Sequence, residues 1–224
     1  MKRFILNELK IKKATFITCT LLLVINPILA FMFSGKNGEV GYNGMQGIYT
    51  IFTFALMWEC NTISSFSDVK SKVFITYKSL PISSKKFVLN KYAIYIMTSI
   101  LYGVITFCLT RIVGFIDKDI PVMNFNSILL SVGTSLNFIS IQMPIIFKNV
   151  EKYLSFIVIG FVILFAIVPR FLDKFIDIQF KDIVIKMIGQ EVSNISILYF
   201  IVSIILIGIS LNISMVTFQS RMRV

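Results

Sequence analysis

Histidine is absent from the 224 residues, cysteine occurs three times and tryptophan once, and there are half as many acidic side chains as basic ones. Without imidazole the chain has neither the commonest proton shuttle nor the commonest metal ligand. A haem or zinc site built on histidine, and a histidine-dependent intramembrane metalloprotease, are therefore excluded. Cys19, Cys60 and Cys108 lie inside apolar stretches and form no Cys-x-x-Cys pair, so they read as small buried hydrophobes. A phosphate-binding loop is missing too. The one Gly-Lys pair, Gly35-Lys36, is followed by Asn37 and has Ala30 where such a loop needs its first glycine. No catalytic site, metal or cofactor is expected on this chain, and it does not hydrolyse ATP by itself.

What the chain has in quantity is apolar surface. It is 56% hydrophobic with a mean hydropathy of +0.85, far above the makeup of a water-soluble domain. A net charge of +11 would raise nucleic acid as a partner in a soluble protein. Here the cations flank apolar runs, so they report membrane topology and nucleic acid is not expected. Six stretches reach the roughly 20 apolar residues that a helix needs to cross a bilayer core of about 30 Å. They are Ala14 to Ser34, Gly47 to Phe66, Tyr92 to Ile116, Ser127 to Phe147, Tyr153 to Phe171 and Ile195 to Phe218. The expected fold is all-α, a polytopic membrane protein with six transmembrane helices in one transmembrane domain over residues 1–224. The first stretch follows a charged segment and has no small-residue cleavage site before Ser34, which reads as a retained span.

Orientation follows from the lysines and arginines. With the N-terminus inside, Lys2, Arg3, Lys10, Lys12, Lys13, Lys70, Lys72, Lys78, Lys85, Lys86, Lys91, Lys148, Lys152, Arg221 and Arg223 are cytoplasmic. Only Lys36, Lys118, Arg170, Lys174, Lys181 and Lys186 lie outside. The bias places both termini in the cytoplasm. Residues 1–13 put Phe4, Ile5 and Leu9 near one side of a helix and lysines near the other. That fits an interfacial amphipathic helix on membrane lipid, with a solvated topogenic tail as the equal alternative. Residues 171–190 repeat apolar side chains from Phe171 to Ile188 every three or four positions with Asp and Lys between, the pattern of an extracellular amphipathic helix. The glycines from Gly35 to Gly47 recur every third residue without the prolines or length of a collagen helix and read as a flexible loop.

Apart from Arg170 at the end of the fifth stretch, two ionisable side chains fall inside the six stretches, Glu59 and Arg111, and intramembrane charge is a functional candidate by default. They sit toward opposite faces of the membrane, so a direct pair needs strong tilt. Arg111 can reach the outer headgroups. Glu59 is followed by Cys60, Asn61, Thr62, Ser64 and Ser65, a polar run that lipid penalises and that a protein-lined cavity or a subunit seam accepts, with a plain helix-end carboxylate near the cytoplasmic interface as the equal alternative. Asn137 and Gln142 in the fourth stretch are the other polar candidates, set against the plainer roles of helix packing and, at Pro144, kinking.

The connector of residues 67–91 is the most informative segment. Val69, Lys70, Lys72, Val73, Phe74, Tyr77 and Lys78 have the spacing of a basic amphipathic helix. Leu80-Pro81 then breaks it, and Ser83 or Ser84 can cap a new helix that runs through Phe87 and Lys91 into the third stretch. A helix, an elbow and a helix at the inner surface suit the docking of a soluble partner.

The run Lys78-Ser79-Leu80-Pro81-Ile82-Ser83-Ser84-Lys85-Lys86-Phe87-Val88-Leu89-Asn90-Lys91-Tyr92 resembles the SLP-[VI]-S-[RK]-x-x-[IV]-V-x-x-K-Y pattern after the second span of type-2 permease subunits of bacterial ATP-binding cassette (ABC) exporters. Ser84 stands where arginine is common, and Phe87 replaces an aliphatic residue. The chain is similar to the permeases of phenol-soluble modulin and antimicrobial peptide exporters. The resemblance implies a multi-pass protein of a bacterial cell membrane, Gram-positive by its composition, whose loop is a coupling helix seated on ABC ATPase subunits that hold the ATP and magnesium. It also implies a second permease copy or sister permease, and a peptide substrate. The alternatives are a six-span substrate-capture subunit of a vitamin-type importer and a peptide-sensing or immunity membrane protein.

Overall fold

Long apolar runs give long helices, and among the described residues of the computed structural model four of the five helices are 24 residues or more. The structure describes residues 13–25, 28, 42–70, 83–116, 120, 122–148 and 194–223. They form α1 (Lys13–Leu22), α2 (Tyr42–Lys70), α3 (Ser84–Ile116), α4 (Phe125–Lys148) and α5 (Asn194–Arg223), with no strand among the described residues. Among the described residues three helices are long and apolar enough to cross a membrane: α3, α4, and α5 as far as Ser220. At about 1.5 Å per residue, α2 is also long enough to span, but it carries more polar side chains.

The boundaries have local causes. The amide of Phe87 donates to the Ser83 carbonyl (3.2 Å), so α3 starts at the serines after the Leu80-Pro81 dipeptide and runs unbroken into the apolar stretch. At α4 the side chain of Asn124 accepts the amide of Ser127 (2.8 Å), an N-cap that satisfies one donor of the first turn. In α1 the Leu23 amide contacts the carbonyls of both Cys19 and Thr20, and Val24 bonds Leu21. This tightening to i→i−3 pairing comes just before Asn26-Pro27. One boundary differs from the sequence expectation. Val69 and Lys70 continue α2, because nothing between Phe66 and Lys70 breaks a helix. The remainder of the 67–91 connector up to Ile82, the interfacial segment 1–12, the fifth stretch and the 171–190 segment lie outside the described residues.

The described helices share one core. Ring pairs link Phe87 of α3, Phe147 of α4 and Phe218 of α5, with centroids 5.2 to 6.2 Å apart. Asn61 pairs with Ser99 and Ser65 with Tyr95, so α2 and α3 are antiparallel. Gln46 pairs with Ser127 and Gln142 with Thr62, so α2 and α4 are parallel. The end with Lys70, Ser84 and Lys148 is the inner end in the charge-based orientation. Polarity is inverted relative to a water-soluble bundle. Thr98, Ser99, Thr106 and Thr110 of α3 are buried, while Met97, Ile100, Leu101, Val104 and Ile112 face outward. On α5, Ser196, Ser203, Ser210 and Ser214 face in, and Leu198, Ile201, Ile205 and Ile209 face out. A hydrocarbon solvent rewards that arrangement, because unpaired polar groups there cost several kcal/mol.

Candidate functional site

Between α2, α3 and α4 the buried polar side chains join in one network. The Asn61 amide donates to Ser99 (3.3 Å) and its oxygen accepts from Thr98 (3.1 Å). Ser99 reaches Ser135 of α4 (2.8 Å). One turn inward, Ser65 meets the Tyr95 hydroxyl at 2.9 Å, and one level outward Cys60 meets the Tyr102 hydroxyl at 3.3 Å. The polar run after Glu59 thus faces the interior of the chain's own bundle. Asn61 is buried with its partners, whereas Glu59 is exposed, on a stripe of α2 with Ile51 and Ile63.

Asn137 lies on the α4–α5 seam, where its amide donates to the Tyr199 hydroxyl (2.9 Å), which also contacts Thr134 (3.1 Å). The Asn137 Oδ1 is buried with no hydrogen-bond partner. Gln142 is buried, and its amide approaches Thr62 at 3.5 Å. Arg111 is exposed, with its guanidinium 5.0 Å from the centre of the Phe107 ring. Because Asn61 lies level with Ser99, Arg111 stands about 18 Å beyond that level by helical rise, and it does not pair with Glu59. Val69 and Lys70 close α2. Lys72, Val73, Phe74, Tyr77, Lys78, Leu80 and Pro81 lie outside the described residues.

Several members of the site carry no sequence signal of their own. At the outer end Gln46 is fully buried. It donates to the Val122 carbonyl (2.7 Å) and accepts from the Asn124 amide (2.9 Å) and the Ser127 hydroxyl (3.0 Å). At the inner end the Tyr92 hydroxyl sits 2.6 Å from Ser210 and 2.8 Å from Ser214, and Ser210 donates on to the Ser140 carbonyl (2.6 Å). Lys91, expected as an inner-surface cation, is 2% exposed and lies 5.7 Å from the Phe87 ring. The seven-residue spacing of Ser196, Ser203 and Ser210 was a readable cue to the α5 face. Nothing comparable marks Gln46.

The apolar exterior, the polar interior and the loop motif all describe a transporter's membrane subunit, and the sequence model of the ABC-2 family of transporter proteins matches residues 3–219. The chain belongs to the ABC-2 transporter family. As an ABC-2 permease it is a membrane transporter subunit that works with ABC ATPase subunits. No curated protein and no solved structure matches it.

Proposed function

We propose that this ABC-2 permease is the membrane half of an ATP-driven exporter that moves amphipathic or antimicrobial peptides outward across a bacterial cell membrane. Two permeases, identical or sisters, enclose the path with both termini inside. A separate ATPase binds and hydrolyses ATP. The observation that carries the reading is the course of α3. It starts at Ser84, three residues after Pro81 in the sequence, and continues as one helix through the bundle; the loop before it is read as an elbow. Tyr92 then ties that helix to α5 and, through Ser210, to α4. A push on the elbow by closing ATPase subunits therefore reaches three helices.

The test is a pair of charge insertions in the coupling loop. Tyr77→Asp and Leu80→Asp place an unpaired carboxylate on the surface proposed to seat on the ATPase, and burial of such a charge costs several kcal/mol. Both variants are expected to insert in the membrane normally and to lose ATPase binding and peptide-stimulated hydrolysis. Unchanged hydrolysis in both would refute the docking role of the loop.

A further inference from the structure

Glu59 is the acidic side chain inside the second apolar stretch, and it is exposed while Trp58, Cys60 and Asn61 on either side of it are buried. Its height is set by its neighbours. Cys60 touches Tyr102, the nineteenth residue of the 33 in α3, so Glu59 lies near mid-height of the longest helix. A carboxylate at that depth facing hydrocarbon is costly and calls for a cation or water beside it.

Among the described residues no Lys or Arg lies at that depth. Arg111 is the single Lys or Arg among those of the apolar stretches, and it is displaced by about 12–15 Å along α3. A second copy does not change this. Two copies related by an axis along the membrane normal hold every residue at the same depth, so the partner's arginine is as far away as the chain's own. If the Glu59 faces met across that axis, two carboxylates would oppose each other and repel. A cation arriving between them would remove the repulsion.

We propose that Glu59 is a substrate-binding residue that takes an ammonium or guanidinium group of the transported molecule at mid-membrane, which makes the substrate a cationic amphipathic peptide. This rests on the exporter reading and adds to it the charge of the substrate and the residue that reads it. Ile51 and Ile63 flank Glu59 on the exposed stripe of α2, so the same face offers apolar contact on both sides of the charge. That matches a ligand whose cations are set among apolar side chains.

Trp58, the only tryptophan, supplies a probe at the site. It is 4% exposed with its ring 5.9 Å from that of Phe138. The full chain in nanodiscs of zwitterionic lipid is titrated with a tryptophan-free helical peptide of leucine and lysine, and with the same peptide acetylated on every lysine. Trp58 emission is followed, with empty nanodiscs subtracted. The wild-type chain is expected to bind the cationic peptide about tenfold more tightly than the acetylated one. Glu59→Gln is expected to lose that preference and Glu59→Asp to keep it. Equal binding of the cationic peptide by wild type and Glu59→Gln overturns the proposal, as does a wild-type chain indifferent to acetylation. Assembly with the ATPase, measured separately on wild type and on Glu59→Gln, tests the transporter reading itself. Retained assembly with lost charge preference supports both, and lost assembly in wild type refutes the exporter reading without reference to Glu59.

Discussion

Gln46 is the residue whose removal has the clearest local consequence. One side chain satisfies a carbonyl, an amide and a hydroxyl that join the start of α2 to the cap of α4. Gln46→Leu keeps the volume roughly constant but leaves the Val122 carbonyl and the Asn124 amide buried without that partner. Each orphaned group costs about 1–3 kcal/mol. Polar pairs in membrane proteins average nearer 0.6 kcal/mol, so a loss of about 1–3 kcal/mol in all is expected. In detergent this reads as a fall of several degrees in Tm, and an unchanged Tm would show that water replaces the side chain. The sequence could not disclose this role. Gln46 lies one residue before the apolar stretch that begins at Gly47, and its partners are some 80 positions away. Asn61, by contrast, was legible as a buried polar residue, because a helix in lipid has few other places to put an amide. Glu59, two positions earlier, could not be separated from it by pattern; only the geometry turns one inward and the other outward.

At the scale of elements the seam between α4 and α5 is set by small residues. A Cβ at Gly133 would lie 3.0 Å from the Tyr199 ring and 3.3 Å from the Ser203 hydroxyl. The ring cannot swing aside freely, since Thr134 and Asn137 both hold its hydroxyl. Gly133→Ala is therefore expected to destabilise by about 1–3 kcal/mol through overpacking. Gly208→Ala on α5, where a Cβ meets nothing within 4 Å, is expected to be neutral or stabilising by up to about 1 kcal/mol, since alanine is the better helix former. Thermal unfolding of the two variants side by side checks the contrast, and equal behaviour would place the close approach elsewhere. The helices themselves were largely readable: the third, fourth and sixth apolar stretches coincide with α3, α4 and α5 because hydrophobic length is a strong signal. The end of α2 was not, because Val69 and Lys70 fit both a continued helix and a separate amphipathic one, and only the absence of a breaker decides. Gly133 was silent in sequence, since a helical glycine does not announce which helix approaches it.

For the molecule as a whole, the question is how an event at the inner surface reaches the path. Tyr92 is the last residue of the loop motif and lies two turns into α3, and its hydroxyl touches Ser210 and Ser214 while Ser210 holds the backbone of α4 at Ser140. Beside it the rings of Phe87, Phe147 and Phe218 bring the same three helices together. The aromatic contacts resist compression but permit sliding. The hydroxyl bridge is directional and fixes the register of α3 against α5. Tyr92→Phe removes the bridge and keeps the ring, so the expected loss of stability is small, about 1 kcal/mol, and ATPase assembly is expected to be unchanged. The fraction of hydrolysis that responds to peptide should fall severalfold, because the push on the elbow would then move α3 without carrying α4 and α5. Basal and peptide-stimulated ATPase rates of the reconstituted complex separate the two effects. A fall in both rates together would mean that Tyr92 only stabilises the bundle, and an unaltered stimulated rate would place the transmission in the aromatic contacts instead.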